Sequence, residues 1–135
     1  MAANAGYGNL QESEMVIVLG YYKRKPGITH EQFCNHWLNV HGPLIKEIPN
    51  IDKYVLRYVQ HHLTPDSRYP APEGMDFDGF SEAWFPSLEA RSELFSLPFY
   101  LKECIADERL FLDMDATRWV VTDDQEVIMA GPGGK

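Results

Sequence analysis

The chain has 135 residues, 44% of them hydrophobic and 13% aromatic, which suits one domain with a sizeable core. Its formal net charge of −8 excludes a nucleic-acid or anionic-membrane partner, because both need a basic patch. No apolar run approaches the roughly 20 residues of a membrane span.

Residues 1–14 are small and polar, lack the charged and apolar regions of a signal peptide, and are expected to be a disordered tail. With only Cys34 and Cys104 there is no disulfide framework, and the expectation is a cytoplasmic protein with reduced thiols. One domain is expected over 15–129. It opens with "MVIVLGYY" (Met15–Tyr22), β-branched and apolar, a buried strand. Pro26-Gly27 makes a turn. Thr29 and Gln32 then form a capping box, followed by a helix with Phe33, Trp37, Val40, Leu44 and Ile48 on one stripe. Gly42-Pro43 should kink or restart it. "NIDKYVLRYVQHHL" (Asn50–Leu63) reads as a second strand, with Tyr54, Leu56, Tyr58, Gln60 and His62 on one face.

Thr64–Gly79, with three prolines and two glycines, is a long loop without periodicity, and its Thr64–Met75 part is expected to border a pocket mouth. Phe80–Phe85 is a third strand. Ser87 caps a helix that Pro98 ends, a further helical piece follows from Phe99, and Arg118 to about Thr122 is the last strand. Residues 130–135 are a second disordered tail. The order β-α-β-β-α-β is the ferredoxin-like α+β unit, an antiparallel sheet with helices on one face. Its strands are apolar or aromatic on both faces, so the uncovered face calls for a second copy, as in a homodimer.

The run "FCNHWLNVHGPLIKEIPNIDKYVLRYVQHHL" carries Phe33-x-x-His36-Trp37, then His41-Gly42-Pro43-Leu44, Pro49, a Tyr-containing strand and a polar pair ending in His62. Later, "DFDGFSEAWF" carries Asp78-Gly79-x-x-Glu82-x-Trp84-Phe85. Together they resemble the EthD family of dimeric α/β barrel proteins, across roughly Val16 to Val121. His61 departs from the Asn-His type pair of that pattern. The resemblance implies a ferredoxin-like unit pairing as a dimeric α/β barrel. The prolyl insert resembles that of members from fungal aromatic-polyketide pathways, some of them decarboxylases.

On an ideal helix His36 and His41 flank the Phe33 stripe on opposite edges, where the interface with the sheet could open into a pocket. His41, next to Gly42-Pro43, is the first candidate for acid–base work, with His36 and His62 behind it. Tyr54 and Tyr58 with Phe33, Trp37, Glu82 and Trp84 are candidates to line a cavity for a flat, hydroxylated aromatic ligand. His30 and the aspartates Asp76, Asp78, Asp113, Asp115, Asp123 and Asp124 read as solvated. No spacing calls for a metal, haem or organic cofactor. The expected activity is a cofactor-free lyase on an aromatic polyketide, foremost decarboxylation with His41 as proton donor. An aldol cyclase or dehydratase, a cofactor-free oxygenase, and a non-catalytic dimeric binding protein are the alternatives.

Overall fold

The computed structural model describes residues 15–64, 68, 76–123 and 125–132. Most of Thr64–Met75, all of the expected tail 1–14 and residues 133–135 of the expected tail 130–135 lie outside the described residues. Four strands form one antiparallel sheet in the order β2-β3-β1-β4: β1 Val16–Tyr22, β2 Arg57–His62, β3 Gly79–Phe85 and β4 Arg118–Thr122. The first helical arm runs through α1 (His30–His36), a π-turn (Trp37–His41) and α2 (Gly42–Lys46), followed by the one-turn α3 (Ile51–Tyr54). The second runs through α4 (Leu88–Ser96), another π-turn (Tyr100–Cys104) and α5 (Ile105–Phe111). This is the ferredoxin-like arrangement.

The caps form as the sequence implies. Thr29 Oγ1 accepts the Gln32 amide at 3.0 Å while the Gln32 side chain accepts the Thr29 amide at 2.8 Å. Ser87 Oγ accepts the Ala90 amide at 3.0 Å.

The expected break at Gly42-Pro43 is a π-turn. Pro43 has no amide hydrogen and its ring crowds the carbonyl four residues back, so the turn before it widens. The Gly42 amide bonds the Trp37 carbonyl, five residues back, and the Gln60 side chain donates to the same carbonyl at 2.9 Å. The widening moves each residue on by roughly 80° instead of 100°. Over four steps His41 swings back toward the centre of the stripe, onto the side of His36. Val40, expected on the stripe, is 46% exposed, and His41 is 6% exposed in its stead.

The second strand is shorter than expected. Asn50 takes a left-handed conformation (φ 57°) and starts α3, which turns Ile51, Tyr54 and Val55 toward one face. Tyr54 therefore belongs to the core with Val16, Val18, Ile48, Phe85 and Leu94, not to a strand face. A second core cluster gathers Phe33, Trp37, Phe111 and Leu112. Gly79 is required there: a Cβ would come within 2.6 Å of the Trp37 ring and 2.7 Å of the His61 carbonyl.

Asp78 is not solvated but 3% exposed. It accepts from the Arg24 amide at 2.8 Å, Arg24 Nη1 at 2.6 Å and His30 Nδ1 at 2.9 Å. His30, also expected in solvent, donates its other ring nitrogen to the Leu63 carbonyl at 3.0 Å. Both ring nitrogens thus face protein oxygens. The clamp ties the ends of β1, β2 and β3 to the start of α1.

Helices cover the sheet face bearing Val18, Tyr22, Ser81, Ala83 and Phe85. The opposite face carries Leu19, Tyr21, Val59, Phe80, Trp84 and Val120. On this face Phe77 packs against Tyr21, with ring centroids 5.8 Å apart, while Val120 is 48% exposed.

Candidate active site

Between the sheet and the two helical arms lies a cavity of about 340 Å³. The sheet supplies Val18, Tyr22, Tyr58 and Trp119, and the helices supply His41, Ile45, Arg91, Tyr100 and Glu108. The walls are mainly apolar, with a few convergent polar groups, as small-molecule sites are.

His41 is fixed by a carboxylate the sequence reading did not single out. Asp107, on α5 and 7% exposed, accepts from His41 Nδ1 through one oxygen at 2.9 Å and from His36 Nε2 through the other at 2.8 Å. This pairing sets the His41 tautomer: Nδ1 carries the hydrogen, and Nε2 has no protein partner among the described residues. Phe111 packs beneath both imidazoles, with ring centroids 4.6 Å from His36 and 5.3 Å from His41. Burial pulls the His41 pKa below its ordinary value, against the opposing hydrogen bond and charge of Asp107. At neutral pH His41 is therefore a neutral imidazole with an available lone pair.

Glu108 follows directly. Its Oε2 accepts the Tyr100 hydroxyl at 2.6 Å, and burial, foremost, raises its pKa. Tyr22 receives two donors on its phenolic oxygen, Ser81 Oγ at 3.0 Å and Trp119 Nε1 at 3.3 Å, leaving its own hydrogen for a ligand. The Gln60 amide donates to the Tyr58 oxygen at 3.4 Å. Burial raises both phenols' pKa values, keeping them neutral donors.

Of the expected site residues, the fold brings His41 and Tyr58 to the cavity wall. His36 stands behind His41 and reaches it through Asp107. His62 faces a separate surface groove beside Leu38, Pro43 and Lys46, with Nε2 2.9 Å from Gln60 Oε1. Phe33 and Trp37 are fully buried and do not line this cavity, and Tyr54 is in the core. Glu82 and Trp84 lie on the opposite sheet face, where Glu82 pairs with His61 at 2.7 Å. Asp107, Glu108, Tyr22, Tyr100 and Arg91 are the additions. A signal for the two acids existed: they stand three and four residues after buried Cys104 and before buried Phe111, so they occupy the apolar stripe. Among the described residues no group of three or more His, Cys, Asp or Glu side chains is placed to hold a metal ion. No described helix is long and apolar enough to cross a membrane.

The fold and cavity define a ferredoxin-like α+β protein with a histidine–carboxylate site between sheet and helices. Residues 25–115 match the EthD domain model, and the chain belongs to that family. It is 28% identical over 125 residues to the decarboxylase claH of Passalora fulva, covering 86% of this chain and 79% of that one. It is 26% identical over 117 residues to the dehydratase ustZ of Ustilaginoidea virens, covering 77% and 78%. Its fold is similar to that of a dimeric protein with a ferredoxin-like fold from Bacteroides fragilis, with a TM-score of 0.59, 11% identity, and coverage of 82% and 96%.

Proposed function

We propose that this protein is an enzyme that decarboxylates an aromatic polyketide acid bearing a hydroxyl or keto group beside the carboxylate. One observation carries the reading: a neutral, buried His41, fixed by Asp107, faces an apolar cavity lined by phenol donors. The kinship to a protein named a decarboxylase supports it.

The chemistry requires one proton to be moved and one oxygen's charge to be held. His41 Nε2 takes the proton of the neighbouring hydroxyl, and Asp107 offsets the imidazolium charge. His41 then returns that proton to the ring carbon bearing the carboxylate. The bond to the carboxyl carbon breaks, CO₂ leaves, and the electron pair restores the aromatic ring. In sum the hydroxyl proton moves to carbon and the negative charge ends on the phenolic oxygen. Tyr22 and Tyr58 donate to that oxygen, where charge develops. The proton donor expected from the sequence is thus a base first and an acid second.

Purified protein incubated with ortho-hydroxy aromatic polyketide acids should yield products lacking CO₂ by mass. His41→Ala should lower turnover about 10²–10⁴-fold, the worth of a positioned acid–base group. Products that have lost only water would replace this reading with a cyclase–dehydratase one. That second reading is favoured by the kinship to a protein named a dehydratase and uses the same His41 base.

The working form is proposed to be a homodimer. The sheet face away from the helices bears Leu19, Tyr21, Phe80 and Val120, the last 48% exposed, and the structurally similar Bacteroides fragilis protein is dimeric.

A further inference from the structure

Arg91, on α4, lines the cavity and is its one Lys or Arg among the described residues. Its guanidinium carbon lies 4.8 Å from the centroid of the Phe95 ring, so the planar fork is held by an aromatic wall. Its Nε is shielded from solvent and has no hydrogen-bond partner. No carboxylate lies within ion-pair distance of it among the described residues. The nearby acids are otherwise engaged: Glu108 accepts from Tyr100, and Asp107 from both imidazoles. A shielded guanidinium nitrogen without an acceptor is rare and costly, and marks a place where a partner is missing.

We infer that Arg91 is the anion-recognition residue of the cavity and takes a planar aromatic carboxylate together with the oxygen ortho to it. This deepens, and rests on, the proposed action on hydroxylated aromatic acids. The shape of the group argues for that ligand. A guanidinium presents parallel N–H donors in one plane, which match two oxygens of a planar acid better than a single charge or a tetrahedral phosphate. The small, largely apolar cavity selects a flat ring over a flexible dianion. A carboxylate entering an acidic chain needs a local cation, and Arg91 is the one on the wall. During decarboxylation the charge moves from the carboxylate to the ortho oxygen. One fork can face both, so Arg91 binds ground and transition states nearly alike. Loss of the residue then raises KM and leaves kcat little changed.

Calorimetric binding of 3-hydroxy-2-naphthoate and of its uncharged primary amide tests this directly. Wild-type protein should bind the acid about 10–100-fold more tightly than the amide, the usual worth of hydrogen bonds to a charged group. Arg91→Met should abolish the preference, weakening the acid by about that factor and the amide far less, with Arg91→Gln in its place where the Met variant does not fold. The inference is overturned where wild-type protein fails to bind the acid, binds acid and amide equally, or keeps its preference without Arg91. This readout needs no release of CO₂. An acid preference that depends on Arg91 in a protein without decarboxylase activity would defeat the proposed reaction and leave the recognition role standing.

Discussion

His41 and Asp107 are joined by a 2.9 Å hydrogen bond, and each sits at or just beyond a widened helical turn. Trp37–His41 brings the imidazole inward, and Asp107 follows two residues after the Ile105 that closes Tyr100–Cys104. Asp107 is thus a positioning residue that acts through His41. Asp107→Asn removes the charge and one of the two acceptor oxygens that raise the His41 pKa, leaving burial, foremost, and the His36 imidazole to lower it. A base works only when neutral, so activity falls as pH drops through that pKa. The acidic limb of the pH–rate profile should move to lower pH in Asp107→Asn, alongside lower turnover. An unmoved limb would assign Asp107 a purely structural role.

Glu108 gives a stability prediction with a defined sign. Its folded pKa is raised above the ordinary 4.5, mainly by burial. The folded state therefore holds this proton more tightly than the unfolded chain, and stability is lost as pH rises from 4.5 through the folded value. Glu108→Gln keeps an acceptor for Tyr100 and cannot ionise. Its melting temperature should equal that of wild type near pH 4 and exceed it increasingly as pH rises from 4.5 through the folded value.

The clamp at Asp78 titrates in the opposite sense. Burial raises the Asp78 pKa, but the Arg24 amide, His30 and the Arg24 guanidinium together hold it below 3.8. Its contribution is complete above that ordinary value and disappears as pH falls through the lowered one. Asp78→Ala should cost roughly 2–4 kcal/mol at pH 7, less than a fully buried pair because Arg24 is partly exposed. Denaturant unfolding at pH 7 and pH 3 checks this, and an equal penalty at both would contradict it.

Gly79→Ala should destabilise by roughly 1–3 kcal/mol, because the added methyl meets the fully buried Trp37 ring and a strand carbonyl, neither free to move. Turnover per folded molecule should hardly change. A Gly79→Ala protein that melts like wild type would show that Trp37 has room to shift.

The homodimer predicts one more measurement. Val120, 48% exposed beside Leu19 on the sheet face away from the helices, would be buried in the proposed sheet-to-sheet pair. Val120→Glu should convert a dimer into a monomer in sedimentation at micromolar concentration. A wild-type monomer would defeat the pairing outright.

The elements that repeat a simple period were legible in the chain. β1, β3, β4 and both capped helices begin within a residue or so of where alternation, Thr29 and Ser87 put them. Alternation failed at Ile51–Tyr54, because the left-handed Asn50 launches a turn of helix that a run of apolar residues does not announce. At the site, His41 was legible as a candidate and its partner was not. Helical geometry puts His36 and His41 on opposite edges, and only the extra residue in the turn before Pro43 lets one carboxylate bridge them. Glu82 and Trp84 were misplaced for another reason: a strand shows which residues share a face, but not which face the helices cover.

The π-turn at Trp37–His41 acts as a frameshift in three dimensions. Removing Val40, the residue it turns outward, would return the arm to ordinary helical phase without touching any side chain of the cavity. Three ordinary steps from Trp37 turn the chain through about 300°, close to the roughly 320° of the four widened ones, so His41 would still face Asp107 in such a deletant. In this architecture the chain carries one residue more than the helix needs, and the widened turn absorbs it without disturbing the chemistry on either side.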